Sequence, residues 1–219
     1  MSGEHVSAII AEYNRATPDQ LDAGRDWYPR AGRIVAQLAY WAGVEPTQMG
    51  AAISALSPRN PWAWNVQDAA AFGWAARHGE PMPVATTYGA NRRRAWGFLT
   101  GSTDWQGSAL KVRAFTRAID GDGDAVVVDV WAVRVATEGR RQLVENDRDY
   151  LELAEAYREA ARQLGEPSAR DLQAIVWVSA QTRGLGSHRR GRHDAVAKRG
   201  TFEVVAVALG LPYQRELGL

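Results

Sequence analysis

Lys111-Val-Arg-Ala-Phe-Thr-Arg-Ala-Ile119, Asp120-Gly-Asp-Gly-Asp124 and Val126-Val-Val-Asp129-Val-Trp-Ala-Val-Arg134 form, almost without a break, the stretch whose reading decides the fold. The apolar residues of the first piece recur at helical spacing, which predicts an amphipathic helix over Lys111–Ile119. The acidic glycine run is a turn. An EF-hand reading of it fails, because such a loop needs glycine at its sixth position and glutamate at its twelfth, and those positions hold Ala125 and Trp131. Val126–Val128 is β-branched, but three residues do not make a sheet. A second helix then opens at Asp129, whose carboxylate suits the N-cap position. Lys111 and Asp129 therefore stand at two neighbouring helix starts, one on each side of a single connection.

The pattern outward from this segment is helical in both directions. Upstream it predicts helices over about His5–Arg15, then from the cap Thr17-Pro18-Asp19 onward with Pro29 as a kink point, then from Pro46, over Trp62–Ala76 and over Asn91–Thr100. Downstream it predicts helices over Asp129–Thr137, Asp147–Leu164, Ser168–Ala180 and Thr201–Leu209, with Ser168 and Asp171 spaced as a capping box. The fold class expected is all-α. The chain is expected to be a single unit of two lobes, with 46–137 forming a central lobe and 1–45 pairing with 138–219 in the other.

The 219 residues are enough for a substantial core, and the formal net charge is only +1. Charge is nonetheless uneven. Arg183, Arg189, Arg190, Arg192, Lys198 and Arg199 crowd a span whose one acid is Asp194, and Asn91-Arg92-Arg93-Arg94 is a second basic cluster. Each is either a solvated face or a phosphate-contacting patch. With no cysteine in the chain, disulfides, thiolate zinc sites and cysteine-held iron–sulfur clusters are excluded. The four histidines are scattered, so no metal and no cofactor is expected. No apolar run approaches a membrane span and no leader pattern opens the chain, which leads us to expect a soluble cytoplasmic monomer.

The Lys111–Asp129 spacing and the pattern Val128-Asp129-x-x-x-x-Arg134 resemble the catalytic segment of the helix-hairpin-helix DNA glycosylases, the superfamily of endonuclease III and MutY. Trp105-Gln-Gly107-Ser108-Ala-Leu-Lys111 is similar to that family's hairpin, Leu-Pro-Gly-Val-Gly-Arg-Lys, with Gln106 in place of the proline and Ala109 in place of the second glycine. Asp171–Gly184 resembles the family's closing helix. Where relatives carry an iron–sulfur loop, this chain has a basic segment through Arg189, Arg190 and Arg192. The arrangement Ser57-Pro58-Arg59-Asn60-Pro61-Trp62-Ala63-Trp64-Asn65 also looks like a subgroup of phage-encoded relatives.

The resemblance implies a two-lobed glycosylase fold acting on double-stranded DNA by flipping out a modified or damaged nucleotide and cleaving its glycosidic bond. It gives Asp129 the task of stabilising an oxocarbenium-like sugar or activating water. Lys111 is then a Schiff-base nucleophile, with a solvent-facing or phosphate-neutralising lysine the competing assignment. Gly107 and Ser108 would approach a phosphate. Arg59 and Asn60 would fill the hole left by the flipped base, and Arg92, Arg93, Arg94 and the Arg189–Arg192 segment would contact the backbone. Trp62, Asn65, Trp131 and Arg134 are candidates for the base pocket or wedge, with core packing the competing assignment for Trp62 and an ordinary ion pair for Arg134. Two other functions fit the same residues. One is a transferase of the phage hypermodification type, which substitutes a leaving group on a modified pyrimidine with an amino acid or amine. The other is a non-catalytic DNA-binding module.

Overall fold

A computed structural model describes residues 3–184 other than 59, 86 and 166. The expected helix over Thr201–Leu209 and the Arg189–Arg192 segment lie outside the described residues, as does Arg59. The described residues fold as nine α-helices and one 3₁₀ turn with no β-strand, an all-α architecture. The helices are α1 (Gly3–Tyr13), α2 (Pro18–Ala42), α3 (Pro46–Leu56), α4 (Trp62–His78), α5 (Gly89–Leu99), α6 (Leu110–Ile119), α7 (Val130–Ala136), α8 (Asp147–Leu164) and α9 (Ala169–Thr182). None among the described residues is long and apolar enough to cross a membrane.

Helix ends follow local chemistry. Ser168 Oγ accepts from the Asp171 amide at 3.2 Å and Asn146 Oδ1 from the Asp149 amide at 3.0 Å, each satisfying an orphan donor of the first turn. Gly79 and Gly165 close α4 and α8 in the left-handed region that glycine enters without strain. α2 runs through Pro29 as one helix, as a kink point rather than a stop allows. Tyr28 and Ala31 are buried on either side of that proline, and packing of this kind outweighs the one helical hydrogen bond that proline removes.

The chain divides into two compact units, one of residues 3–33 with 108–184 and one of 34–107. In the second, α3 packs against α4 and α5. Every residue from Met49 to Leu56 is buried, as expected of a helix built from small and apolar residues on all sides. Gly73 makes close packing possible: a Cβ there would fall 2.8 Å from the Ala42 Cβ and 2.9 Å from the Met49 Cε.

In the first unit, α1, α7, α8 and α9 pack around Ile9, Val128, Val133, Leu153, Tyr157 and Leu172. A buried polar tie crosses this core. Glu12 is 3% exposed and accepts from Ser179 Oγ at 2.7 Å while pairing with Arg183, so α1 and α9 are joined by charge as well as by apolar contact. The same unit contains α6 and α7, and with them Lys111 and Asp129.

Gly24 on α2 tests this packing. A Cβ at that position would lie 2.5 Å from the Ile175 Cα and 2.7 Å from its amide nitrogen, and backbone cannot step aside as a side chain can. Gly24→Ala should cost about 1–3 kcal/mol or more through overpacking. At about 2–4 °C per kcal/mol for a chain of this length, calorimetry should record a clear fall in Tm. Gly3→Ala, where nothing lies within 4 Å, should leave Tm within about a degree.

Candidate active site around Asp129

Asp129 is positioned from both of its sides. Ahead of it, buried Val126–Val128 lies outside any helix or strand, with the Asp129 amide donating to the Val127 carbonyl at 3.1 Å, and its remaining backbone polar groups need other partners. Tyr150 on α8 supplies them: its hydroxyl donates to the Val126 carbonyl at 3.1 Å and accepts from the Val128 amide at 3.2 Å. Behind it, Asp129 caps α7. Its Oδ1 accepts from the amides of Trp131 and Ala132, both at 2.9 Å. Both bonds fall on one oxygen, and the residue's own amide also lies close enough to the carboxylate to lower its pKa. The side chain is half-buried, and its capping bonds fix the carboxylate in place.

The electrostatics of this carboxylate are opposed. Burial pushes its pKa above the ordinary aspartate value, while the Ala132 amide, the nearby Lys111 ammonium and the Trp131 amide draw it down, and burial prevails. Lys111 stands in the first turn of α6, half-buried, so the structure brings together the two residues singled out as catalytic. A set of tyrosines surrounds them. Burial, reinforced by the Asp129 charge, holds the hydroxyls of Tyr28 and Tyr157 protonated far above their usual range. Burial also raises that of Tyr150, to about 12. Each hydroxyl has a buried acceptor: Tyr28 donates to Gln173 Oε1 at 2.7 Å and Tyr157 to the Ala132 carbonyl at 3.1 Å.

Of the other candidates, Trp131 and Arg134 follow Asp129 on α7, with the Arg134 guanidinium carbon 5.1 Å from the centre of the Trp131 ring and its Nη2 on Gln142 Oε1 at 3.3 Å. Gly107 is exposed and Ser108 half-buried ahead of α6, whose N-cap, Ala109, offers no side-chain cap. Asn60, Trp62, Asn65 and Arg92–Arg94 belong to the second unit. There Asn60 Nδ2 donates to Asp68 Oδ2 at 2.9 Å, Trp62 is half-buried, and Asn65, 1% exposed, donates from Nδ2 to the Ile53 carbonyl at 3.1 Å. The donor end of the Asn65 amide thus ties α3 to α4, while its buried Oδ1 has no partner among the described residues. Arg93 and Arg94 are exposed and Arg92 half-buried, and among the described residues none of the three meets a carboxylate.

Sequence reasoning passed over Tyr28, Tyr150, Tyr157 and Gln173. The available signal was weak: Tyr150 and Tyr157 sit two turns apart on the apolar stripe of α8, which marks them as core without showing that their hydroxyls face Asp129.

This geometry makes two stability predictions. Tyr150→Phe removes a hydroxyl that serves two buried backbone groups, so it should cost about 1–3 kcal/mol in denaturant unfolding. Asp129→Asn should act in the opposite direction. A carboxyl whose folded pKa is raised favours the fold when protonated, and that contribution is lost as pH rises through the folded value. At neutral pH the wild type carries the cost of a desolvated charge that asparagine, still able to cap α7, does not. The mutant's Tm should exceed the wild type's at pH 7, and the gap should close as pH falls toward the ordinary aspartate value of 3.8. A gap that widens on acidification would reverse the sign of the argument.

No curated protein and no solved structure matches this chain. A family model does, over residues 2–184, a span that takes in every described residue. The chain belongs to that family, DUF7178, whose function is unknown.

Proposed function

We propose that this protein is a DNA-base-directed enzyme of the helix-hairpin-helix glycosylase type, which takes a nucleotide out of the duplex and breaks its glycosidic bond. The observation that carries the reading is the state of Asp129: a carboxylate locked by its own helix through Oδ1, partly desolvated, and set beside a lysine. In glycosidic cleavage the bonding pair leaves C1′ with the base, and positive charge develops on the sugar. A fixed anion in a poorly solvated place stabilises that charge with little reorganisation. The carboxylate can then take a proton from the water that adds to C1′, and the departing base gains a proton from solvent.

Incubation with phage and bacterial genomic DNA, followed by mass spectrometry of released bases and nucleosides, tests the reading. A free base is the expected product. A mass-shifted nucleoside would assign the same carboxylate to group transfer, and neither product would leave a binding module. Asp129→Asn should lower turnover by orders of magnitude while DNA affinity stays within a few-fold, because the charge acts on the transition state.

The pH profile gives a finer test. Catalysis needs the carboxylate ionised, so the acid limb of the rate should lie above the ordinary aspartate range. Lys111→Ala should move it higher still, since the lysine charge holds the Asp129 pKa down. The same mutant reports on lyase chemistry: a Schiff base at Lys111 would give a borohydride-trapped adduct that the alanine variant cannot form.

Backbone binding is assigned to Arg92, Arg93 and Arg94 and to the Arg189–Arg192 segment. On duplex DNA, log affinity falls with log salt by about 0.9 per phosphate neutralised. Replacing the α5 arginines should flatten that slope by about one unit per lost contact. An unchanged slope would remove these arginines from the interface.

A further inference from the structure

α5 carries three consecutive arginines, and two of them fold back over the helix's own first turn. A Cβ on Gly89 would fall 3.6 Å from Arg93 Nη1 and 3.7 Å from Arg92 Nη2, whereas Arg94 does not come within 4 Å of that point. Two guanidinium groups thus converge on one place. Among the described residues no carboxylate answers either charge, and Arg92 Nε is shut off from solvent without an acceptor. A sealed donor on a charged group is costly to leave without its hydrogen bond.

The surroundings add to this charge instead of cancelling it. Gly89 opens α5, whose N-cap, Tyr88, contributes no side-chain cap bond. The start of a helix is its positive end and disfavours cations placed there. Two guanidinium groups that repel each other therefore stand where the backbone repels both, and an anion between them would relieve all three. Gly89 fits such an approach. It is helical and outside the left-handed region that calls for glycine, and contacts of 3.6–3.7 Å are ordinary packing that would admit a methyl group. Its missing side chain leaves bare backbone beneath the two guanidinium groups, as close approach by a ligand requires.

We propose that Arg92 and Arg93 clamp a single phosphate of a DNA backbone between them, over Gly89, while Arg94 acts independently of the pair. Guanidinium groups donate in a fixed fork that matches phosphate oxygens, so two of them converging on one point make a site for one phosphate and not for two. The inference rests on the base-directed reading only for DNA as the source of that phosphate. The clamp itself lies wholly in the second unit and does not involve Asp129. It changes what the α5 arginines do on DNA: three cations make two contacts.

Fluorescence anisotropy of the full chain with a labelled DNA duplex, across a salt series, tests this. The variants are Arg92→Gln, Arg93→Gln, Arg94→Gln, the Arg92→Gln/Arg93→Gln double and Gly89→Ala, with circular dichroism verifying that each is folded. Arg92→Gln or Arg93→Gln alone should weaken binding about tenfold, the scale of one charge-assisted hydrogen bond. The double should lose little more, and its salt slope should flatten by about 0.9, the value for one phosphate. Arg94→Gln should multiply with either single loss. Gly89→Ala keeps every charge and favours the helix, yet should also weaken binding about tenfold, because its methyl group fills the site. Multiplied losses with a slope flattened by twice that amount in the double, or wild-type affinity in Gly89→Ala, overturns the clamp. NMR of the arginine Nε–Hε groups with inorganic phosphate adds a second arm: Arg92 and Arg93 should shift and Arg94 should not, and no shift in the pair also overturns the clamp. Should phosphate shift them while the duplex fails to bind, DNA as the ligand falls together with the base-directed reading. A shared contact on DNA from which no base is released overturns the base-directed reading alone.

Discussion

A three-residue non-helical run buried in a helical protein has a backbone problem. Val126–Val128 presents amides and carbonyls to an apolar interior with no strand beside it, and unpaired groups there would cost about as much as lost hydrogen bonds. The Tyr150 hydroxyl resolves part of this by serving the Val126 carbonyl and the Val128 amide together. The placement of the carboxylate depends on that hydroxyl. The run delivers Asp129 to the start of α7 at a fixed position, α7 takes its capping bonds from that side chain, and Tyr157, two turns along from Tyr150, reaches the Ala132 carbonyl in the first turn of α7. α8 thus sets the carboxylate through two hydroxyls, neither of which touches it.

Most helix caps are exposed and gain from their charge. Asp129 does its capping where burial raises its pKa despite a neighbouring lysine and the amides on Oδ1. A serine or asparagine would cap α7 about as well without the desolvation cost. A charge kept where a neutral group would serve the fold better is a mark of sites shaped by chemistry. It also explains why one substitution, Asp129→Asn, is expected to raise stability and remove activity together.

The helices were legible because their signals are local. Periodicity together with Ser168, Gly165 and Pro46 places most ends within a few residues, and Asp147–Leu164 coincides with its expected bounds. Pro29 lies inside α2, where the burial of Tyr28 and Ala31 on either side holds the helix together. The pairing of Lys111 with Asp129 was legible because a single short connection separates them. The rest of the site was not. Tyr28, Tyr150 and Gln173 come from α2, α8 and α9, distant along the chain, and nothing within a window of sequence distinguishes a tyrosine whose hydroxyl staples backbone from one that merely fills core. Asn65 stands among aromatics and amides at a helix break, and only the fold shows that it is 1% exposed with its Nδ2 on the Ile53 carbonyl and its Oδ1 without a partner among the described residues.

Net charge concealed another part of the design. In the first unit the acids and arginines largely answer each other: Arg141 meets Asp149, Arg158 and Arg162 meet Glu155, and Arg148 meets Glu152. Exposed pairs of this kind add little stability, but each cancels a field that would otherwise reach solvent. On α5 the arithmetic differs. Arg92, Arg93 and Arg94 have no carboxylate partner among the described residues, so their charge is left available within a sequence whose sum is only +1. Three adjacent cations on one short helix repel one another, a standing cost that an anionic ligand would relieve. Opposite charges paired in one place and like charges left without a carboxylate in another give a near-neutral chain a local field that its sum does not show.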